Sequence, residues 1–201
     1  PNYSLYNDTL QYFLTWNSST SNYRYSVESD IDFSSYTPVN YMLISTIYNF
    51  NNSYHEGVKT SDASSSFYVA GEGWGSGKLN GVPGGLPWSL TLDTPIPYSG
   101  PDAPTAKFSG YSVSNSNAVS SGGPNHHLRW HLGNSNITIL DTTFLGFQQI
   151  RTFTEIPATE VGNGGTFLQF EIVDDLGVAT DYQSYTEYTF TYPKITNLTT
   201  F

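Results

Sequence analysis

Apolar and polar positions alternate with a period of two along most of this chain, and nowhere does an apolar pattern hold helical spacing for three turns. The cleanest alternation is residues 23–33. Tyr23, Tyr25, Val27, Ile31 and Phe33 face one way, and Arg24, Ser26, Glu28, Asp30 and Asp32 the other. That is a half-buried antiparallel strand. Residues 40–50 (NYMLISTIYNF) are apolar on both parities, which predicts a central strand covered on both faces. Further strands are predicted at 67–70, around Trp88, Leu90 and Leu92, and at 107–113, 126–132, 136–140, 143–156, 166–173 and 182–192. In the last of these Tyr182, Thr186, Tyr188, Phe190 and Tyr192 share the buried parity. Polar or Gly/Pro-rich connections fall at 51–64, 94–104 and 114–125, and Asn80-Gly81 is a hairpin signal. The expectation is an all-β, antiparallel β-sandwich, Ig-like or pilin-like, of about 10–12 strands.

The first sixteen residues, PNYSLYNDTLQYFLTW, carry the same alternation without glycine and with no proline after the first position. Tyr6, Leu10, Tyr12, Leu14 and Trp16 fall on one parity, broken by Asp8; Asn7, Thr9, Gln11 and Thr15 fall on the other, broken by Leu5 and Phe13. At full extension the segment reaches about 50 Å, roughly twice a usual strand. It precedes a polar joint, Asn17–Asn22. A long strand beyond a flexible joint suits pairing with a neighbouring sheet, and burying its five large side chains would contribute on the order of 10 kcal/mol before ordering costs. The chain is therefore expected to divide into a donor strand, 1–16, and one β-sandwich domain, 17–201.

Composition narrows the function classes. Only 12% of the 201 residues are charged, against about a quarter in ordinary soluble domains, whereas 16% are aromatic. Disorder is excluded by that aromatic content. The net charge of −10 leaves no basic patch for nucleic acid or anionic lipid, and no apolar run is long enough to insert the mature chain in a membrane. Six Asn-X-Ser/Thr sequons, at Asn2, Asn7, Asn17, Asn51, Asn136 and Asn197, suit a secreted, N-glycosylated surface protein. The chain begins at proline and holds no cysteine, and the expectation is a secreted product whose leader has been removed.

Candidate chemistry is sparse. His126, His127 and His131 flank Arg129; the two on one face are roughly 13 Å apart in an extended strand, so no metal site is expected and solvated surface histidines are. Glycoside hydrolysis needs two acids about 5–10 Å apart. Glu28, Asp30 and Asp32, or Glu155 and Glu171 across strands, would supply them, and Gln149 with Glu171 imitates the Gln/Glu pair of acid-stable β-sandwich peptidases. There is no Gly-X-Ser-X-Gly. A carbohydrate-binding module would use the Trp/Tyr supply and the Asp174-Asp175 loop. Gly71, Gly73, Gly75 and Gly77 precede no helix, so they read as a strand packed closely on another backbone rather than a phosphate cradle. No cofactor and no catalytic residue is expected.

Taken together, the cysteine-free acidic composition rich in Tyr, Ser, Thr and Asn, the sequon density and the opening PNYSLYNDTLQYFLTW resemble the subunits of archaeal thread filaments. The resemblance implies an extracellular, N-glycosylated fibre of β-sandwich subunits, similar in plan to chaperone-usher pili and joined head to tail by donor-strand complementation, with a role in adhesion. It further implies that Tyr6, Leu10, Tyr12, Leu14 and Trp16 plug a groove in the next copy. The alternatives are a secreted carbohydrate-binding module and an acid-stable hydrolase.

Overall fold

A computed structural model describes residues 39–60, 63–64, 71–81, 87–117 and 122–196. The leading segment with Tyr6, Leu10, Tyr12, Leu14 and Trp16, the strands read at 23–33 and 67–70, and the sequons at Asn2, Asn7, Asn17 and Asn197 lie outside the described residues.

The chain is an antiparallel β-sandwich. Its strands are β1 (Tyr41–Asn49), β2 (Ser53–His55), β3 (Lys59–Thr60), β4 (Ala63–Ser64), β5 (Gly73–Gly75), β6 (Leu79–Asn80), β7 (Trp88–Leu92), β8 (Ala106–Ser114), β9 (His126–Leu132), β10 (Ile137–Phe144), β11 (Gln149–Ile156), β12 (Thr166–Ile172) and β13 (Tyr182–Ile195). One sheet runs β1-β13-β8-β11, with β6 also pairing onto β13; the other runs β10-β9-β12-β7. β2-β5 and β3-β4 form two-stranded sheets of their own. A single 3-10 turn, Ala158–Glu160, is the one helical element among the described residues.

Alternation decides which side chains meet between the sheets. Leu128, Trp130 and Leu132 point inward from β9 and are fully buried; Leu168 and Phe170 join them from β12, and Phe108, Tyr185, Tyr188, Phe190 and Tyr192 from the facing sheet. The centre is aromatic. Phe170 stacks on Tyr185 with ring centroids 3.6 Å apart, and Trp130 meets Phe170 edge-on at 4.9 Å. Offset and edge-to-face pairs of this kind add about 0.5–1.5 kcal/mol each beyond the area they bury.

Four expectations are corrected. Residues 40–50 do not form a central strand: β1 is the edge of its sheet among the described residues, and its alternation leaves Leu43 and Ile47 in solvent. Apolar residues on both parities here mark an uncovered edge. The strand read at 143–156 is two strands in different sheets, broken at Leu145–Gln148, where Gly146 takes a positive φ of 76° that glycine adopts without strain. Asn80-Gly81 does not turn a hairpin, because β6 pairs with β13 and β7 with β12; a Cβ on Gly81 would lie 2.5 Å from Ile172 Cγ2, so the glycine serves close packing. Finally, the register of β13 against β8 shifts between Tyr185 and Glu187. This bulge reverses the strand's parity, so Gln183 and Tyr185 are buried, where the sequence pattern placed Tyr182 and Thr186.

Candidate functional site

Among the described residues β1 is an edge strand. Its nine residues pair with β13 in unbroken register from Tyr41 to Asn49, and none is charged or proline. Natural sheets blunt their edges with lysine, proline or bulges, and β1 uses none of them. Met42 (47%), Leu43 (56%) and Ile47 (61%) are exposed, although Met42 shares the inward parity of Ile44, Thr46 and Tyr48. The core is thus incompletely covered at the start of β1.

A cleft is built where the β2-β5 ribbon docks onto the bulge in β13. Phe50 N–H donates to Thr186 O (2.9 Å), Ser76 N–H to Tyr185 O (2.8 Å), and Tyr185 N–H to Ser76 Oγ (3.0 Å). The β1 ladder ends at Asn49–Glu187, and beyond it Phe50 and then Ser76 pair with the backbone of β13. Between ribbon and sandwich lies a cavity of about 330 Å³ lined by Tyr54, His55, Glu56, Gly57, Lys78, Asn115 and Phe147. The glycines of the Gly71–Gly77 stretch divide by position. A Cβ on Gly71 would lie 2.3 Å from Ser114 O and one on Gly75 3.0 Å from Tyr185 O, whereas Gly73 and Gly77 have open space. Close packing on another backbone therefore accounts for two of the four.

On the outer face of the four-stranded sheet His127 and His131 belong to an ion network instead of standing solvated, which corrects the sequence expectation. His127 is buried (7% exposed); its Nδ1–H donates to Asp175 (2.9 Å) and its Nε2–H to Asp141 Oδ1 (2.7 Å). Arg129 continues the chain to Asp141 Oδ2 (2.8 Å) and Glu171 Oε2 (3.2 Å). Burial pushes the His127 ring down, but the carboxylates of Asp141 and Asp175 outweigh it and hold the ring above its ordinary value. Asp141 is held low in turn, first by the His127 hydrogen bond and then by Arg129. His126 faces the opposite way, wholly buried, with Nδ1 2.6 Å from Asp181 Oδ1 and Nε2 3.0 Å from Ser116 O. Among the described residues no three His, Asp or Glu side chains are grouped to hold a metal ion.

The carboxylate pairs named from the sequence are not brought together. Glu155 lies on β11, accepts from Thr105 and forms an ion pair with Lys107, whereas Glu171 lies on β12 in the other sheet with Arg129. Gln149, on β11, accepts from Arg151. Glu28, Asp30 and Asp32 fall outside the described residues.

Neither a protein-family model nor a curated protein matches this chain. Among solved structures, dimeric latent PorU from Porphyromonas gingivalis is similar over 78% of this chain, with a TM-score of 0.51 and 9% identity. The match spans 13% of the PorU chain. At that identity the likeness is one of fold.

Of the sequons, Asn51 and Asn136 are exposed, each in a turn between strands. Asn136 adopts a positive φ of 55°, in a turn tied down by Ser135, whose N–H and Oγ–H both donate to Glu160. Sequence reasoning missed the cleft. Its only forward signal was the Gly-Trp-Gly of β5, which leaves Trp74 exposed beside Tyr54.

Proposed function

We propose that the protein is the structural subunit of an extracellular, N-glycosylated filament, in which the leading strand 1–16 of one copy is taken up by the sandwich of the next. The observation that carries this reading is β1, the edge of its sheet among the described residues: nine residues without a charge, a proline or a bulge, exposing Met42, Leu43 and Ile47. Such an edge is a template for strand addition. The leading segment supplies a complementary strand with one apolar face, Tyr6, Leu10, Tyr12, Leu14 and Trp16. Because donor and acceptor are different surfaces, the contact is head to tail and generates an open fibre. Asn51 and Asn136, exposed in turns, present glycans away from the sandwich interior.

The test is deletion of residues 1–16 followed by addition of that peptide in trans, with assembly read by electron microscopy and sedimentation. The truncated chain is expected not to polymerise and to bind the peptide, and Leu10→Asp or Leu14→Asp in the full chain abolishes fibres. Fibres of unchanged length from either substituted chain overturn the reading.

A further inference from the structure

The sheet that begins with β1 ends at β11, its other edge among the described residues. β11 pairs with β8 in unbroken register from Gln149 to Ile156, and Pro157 follows it. Its last seven residues, 150–156, read Ile-Arg-Thr-Phe-Thr-Glu-Ile. About Phe153 they are symmetric. Thr152 matches Thr154 and Ile150 matches Ile156, while Arg151 and Glu155 differ in the sign of their charge.

For an edge strand that symmetry has a specific meaning. Two copies set antiparallel about a two-fold axis at Phe153 place Phe153 opposite Phe153, Thr152 opposite Thr154 and Ile150 opposite Ile156. Arg151 then stands opposite Glu155 on both sides of the axis, giving two attractive cross-strand pairs. An edge guarded by lysine alone repels a second copy of itself, because like meets like; this edge attracts one.

The side chains are already disposed for such a contact. Arg151, Phe153 and Glu155 all lie exposed on the outer face, Phe153 at 68%. Arg151 donates to Gln149 and carries its guanidinium over the Tyr111 ring, 5.1 Å from the centroid, and Glu155 pairs with Lys107 at 3.6 Å. Both charges are therefore positioned within the single copy. The alternate residues turn the other way, and Thr152 Oγ1–H donates to Ile139 O of the facing sheet (3.3 Å), which ties the two sheets together on this flank. A strand added here extends the sheet and leaves the core as it is.

We propose that two copies of this chain pair through β11, antiparallel and two-fold symmetric about Phe153, so that the sheet β1-β13-β8-β11 continues from one copy into the other. β1 and β11 are opposite edges of that sheet, and the contact is independent of the filament reading. Where fibres form, it joins two of them side by side. A ladder this short is smaller than a standard interface, so the dimer is weak and concentration-dependent.

The experiment follows the full-length chain carrying Leu14→Asp, which removes the leading strand from play, by sedimentation from about 10 µM to 1 mM, the range of a weak contact. A monomer–dimer equilibrium is expected, with amide NMR signals of residues 150–156 shifting as concentration rises. Arg151→Glu and Glu155→Arg, each alone at an exposed position, set like charges opposite one another at both pairs and should weaken the dimer about tenfold or more. Mixed in equal amounts, the two substituted chains oppose an acidic edge to a basic one, and the mixture should dimerise as strongly as their parent. A parent that stays monomeric throughout overturns the proposal, as does a dimer that neither substitution weakens. A mixture no more associated than its components, or concentration-dependent shifts confined to β1, overturns it as well.

Discussion

His127 Nε2 stands 2.7 Å from Asp141 Oδ1, and Asp175 closes on the other nitrogen of the same ring. A ring held between two carboxylates donates twice, which only its charged form can do. Folding therefore raises its affinity for the proton. Its contribution to stability is full below the ordinary value of 6.5 and is lost as pH rises through the higher folded value. Asp141 works in the opposite sense: folded, it is held below 3.8, so its contribution is present above that value and lost as pH falls through the lower one. The two overlap between about pH 4 and 6.5. Thermal melts of the parent chain and of His127→Gln should differ most in that window, with the gap closing toward pH 9. A gap that widens with alkalinity would contradict the network.

Tyr185 is wholly buried against Phe170, and its hydroxyl has no partner. Burial, with the Asp181 charge second, holds that phenol well above its ordinary value. Replacing a buried hydroxyl that bonds to nothing removes a desolvation cost and keeps the ring. Tyr185→Phe should leave stability unchanged or raise it by about 1 kcal/mol in urea denaturation. A loss above that size would reveal a partner for the hydroxyl.

Glycines that look alike in sequence separate in the same assay. Gly71→Ala drives a methyl into the Ser114 carbonyl and should cost about 1–3 kcal/mol. Gly77→Ala meets open space and should stay within about 0.5 kcal/mol of the parent. Equal effects at the two positions would refute the packing account.

Leu43 and Ile47 point outward from β1, so charge there is expected to act on assembly and not on the fold. Leu43→Lys and Ile47→Lys should each change monomer stability by no more than about 0.5 kcal/mol, while suppressing polymers as edge lysines do in natural sheets. Sedimentation of the lysine variants as fibres equal to the parent's would show that the β1 edge is not the acceptor.

Period-two alternation was sufficient to read the sandwich and the inward set Leu128, Trp130 and Leu132. What it missed follows from what alternation encodes. It reports which face a residue takes but not whether anything covers that face, so β1 read as central although it is an edge among the described residues. It also assumes unbroken phase, and the bulge at Tyr185–Glu187 breaks phase without a glycine or proline to announce it. The ion network was hidden for a related reason: His127, Asp141 and Asp175 are brought together by cross-strand register and a loop, neither of which is written in local sequence. The cleft was hidden likewise, because the ribbon is held to β13 by the long-range bonds between Ser76 and Tyr185.

The position of β13 has a temporal consequence. It follows every other described strand in the chain, yet it lies between β1 and β8 and holds both. While the polypeptide is being synthesised from its amino end, β1 meets no partner among the described strands until residues 182–195 emerge. Pairings this remote in sequence form slowly, because loop closure must precede the contacts that reward it. Among the described strands β1 thus waits for β13, whereas β8 and β11 of the same sheet can pair before it is made.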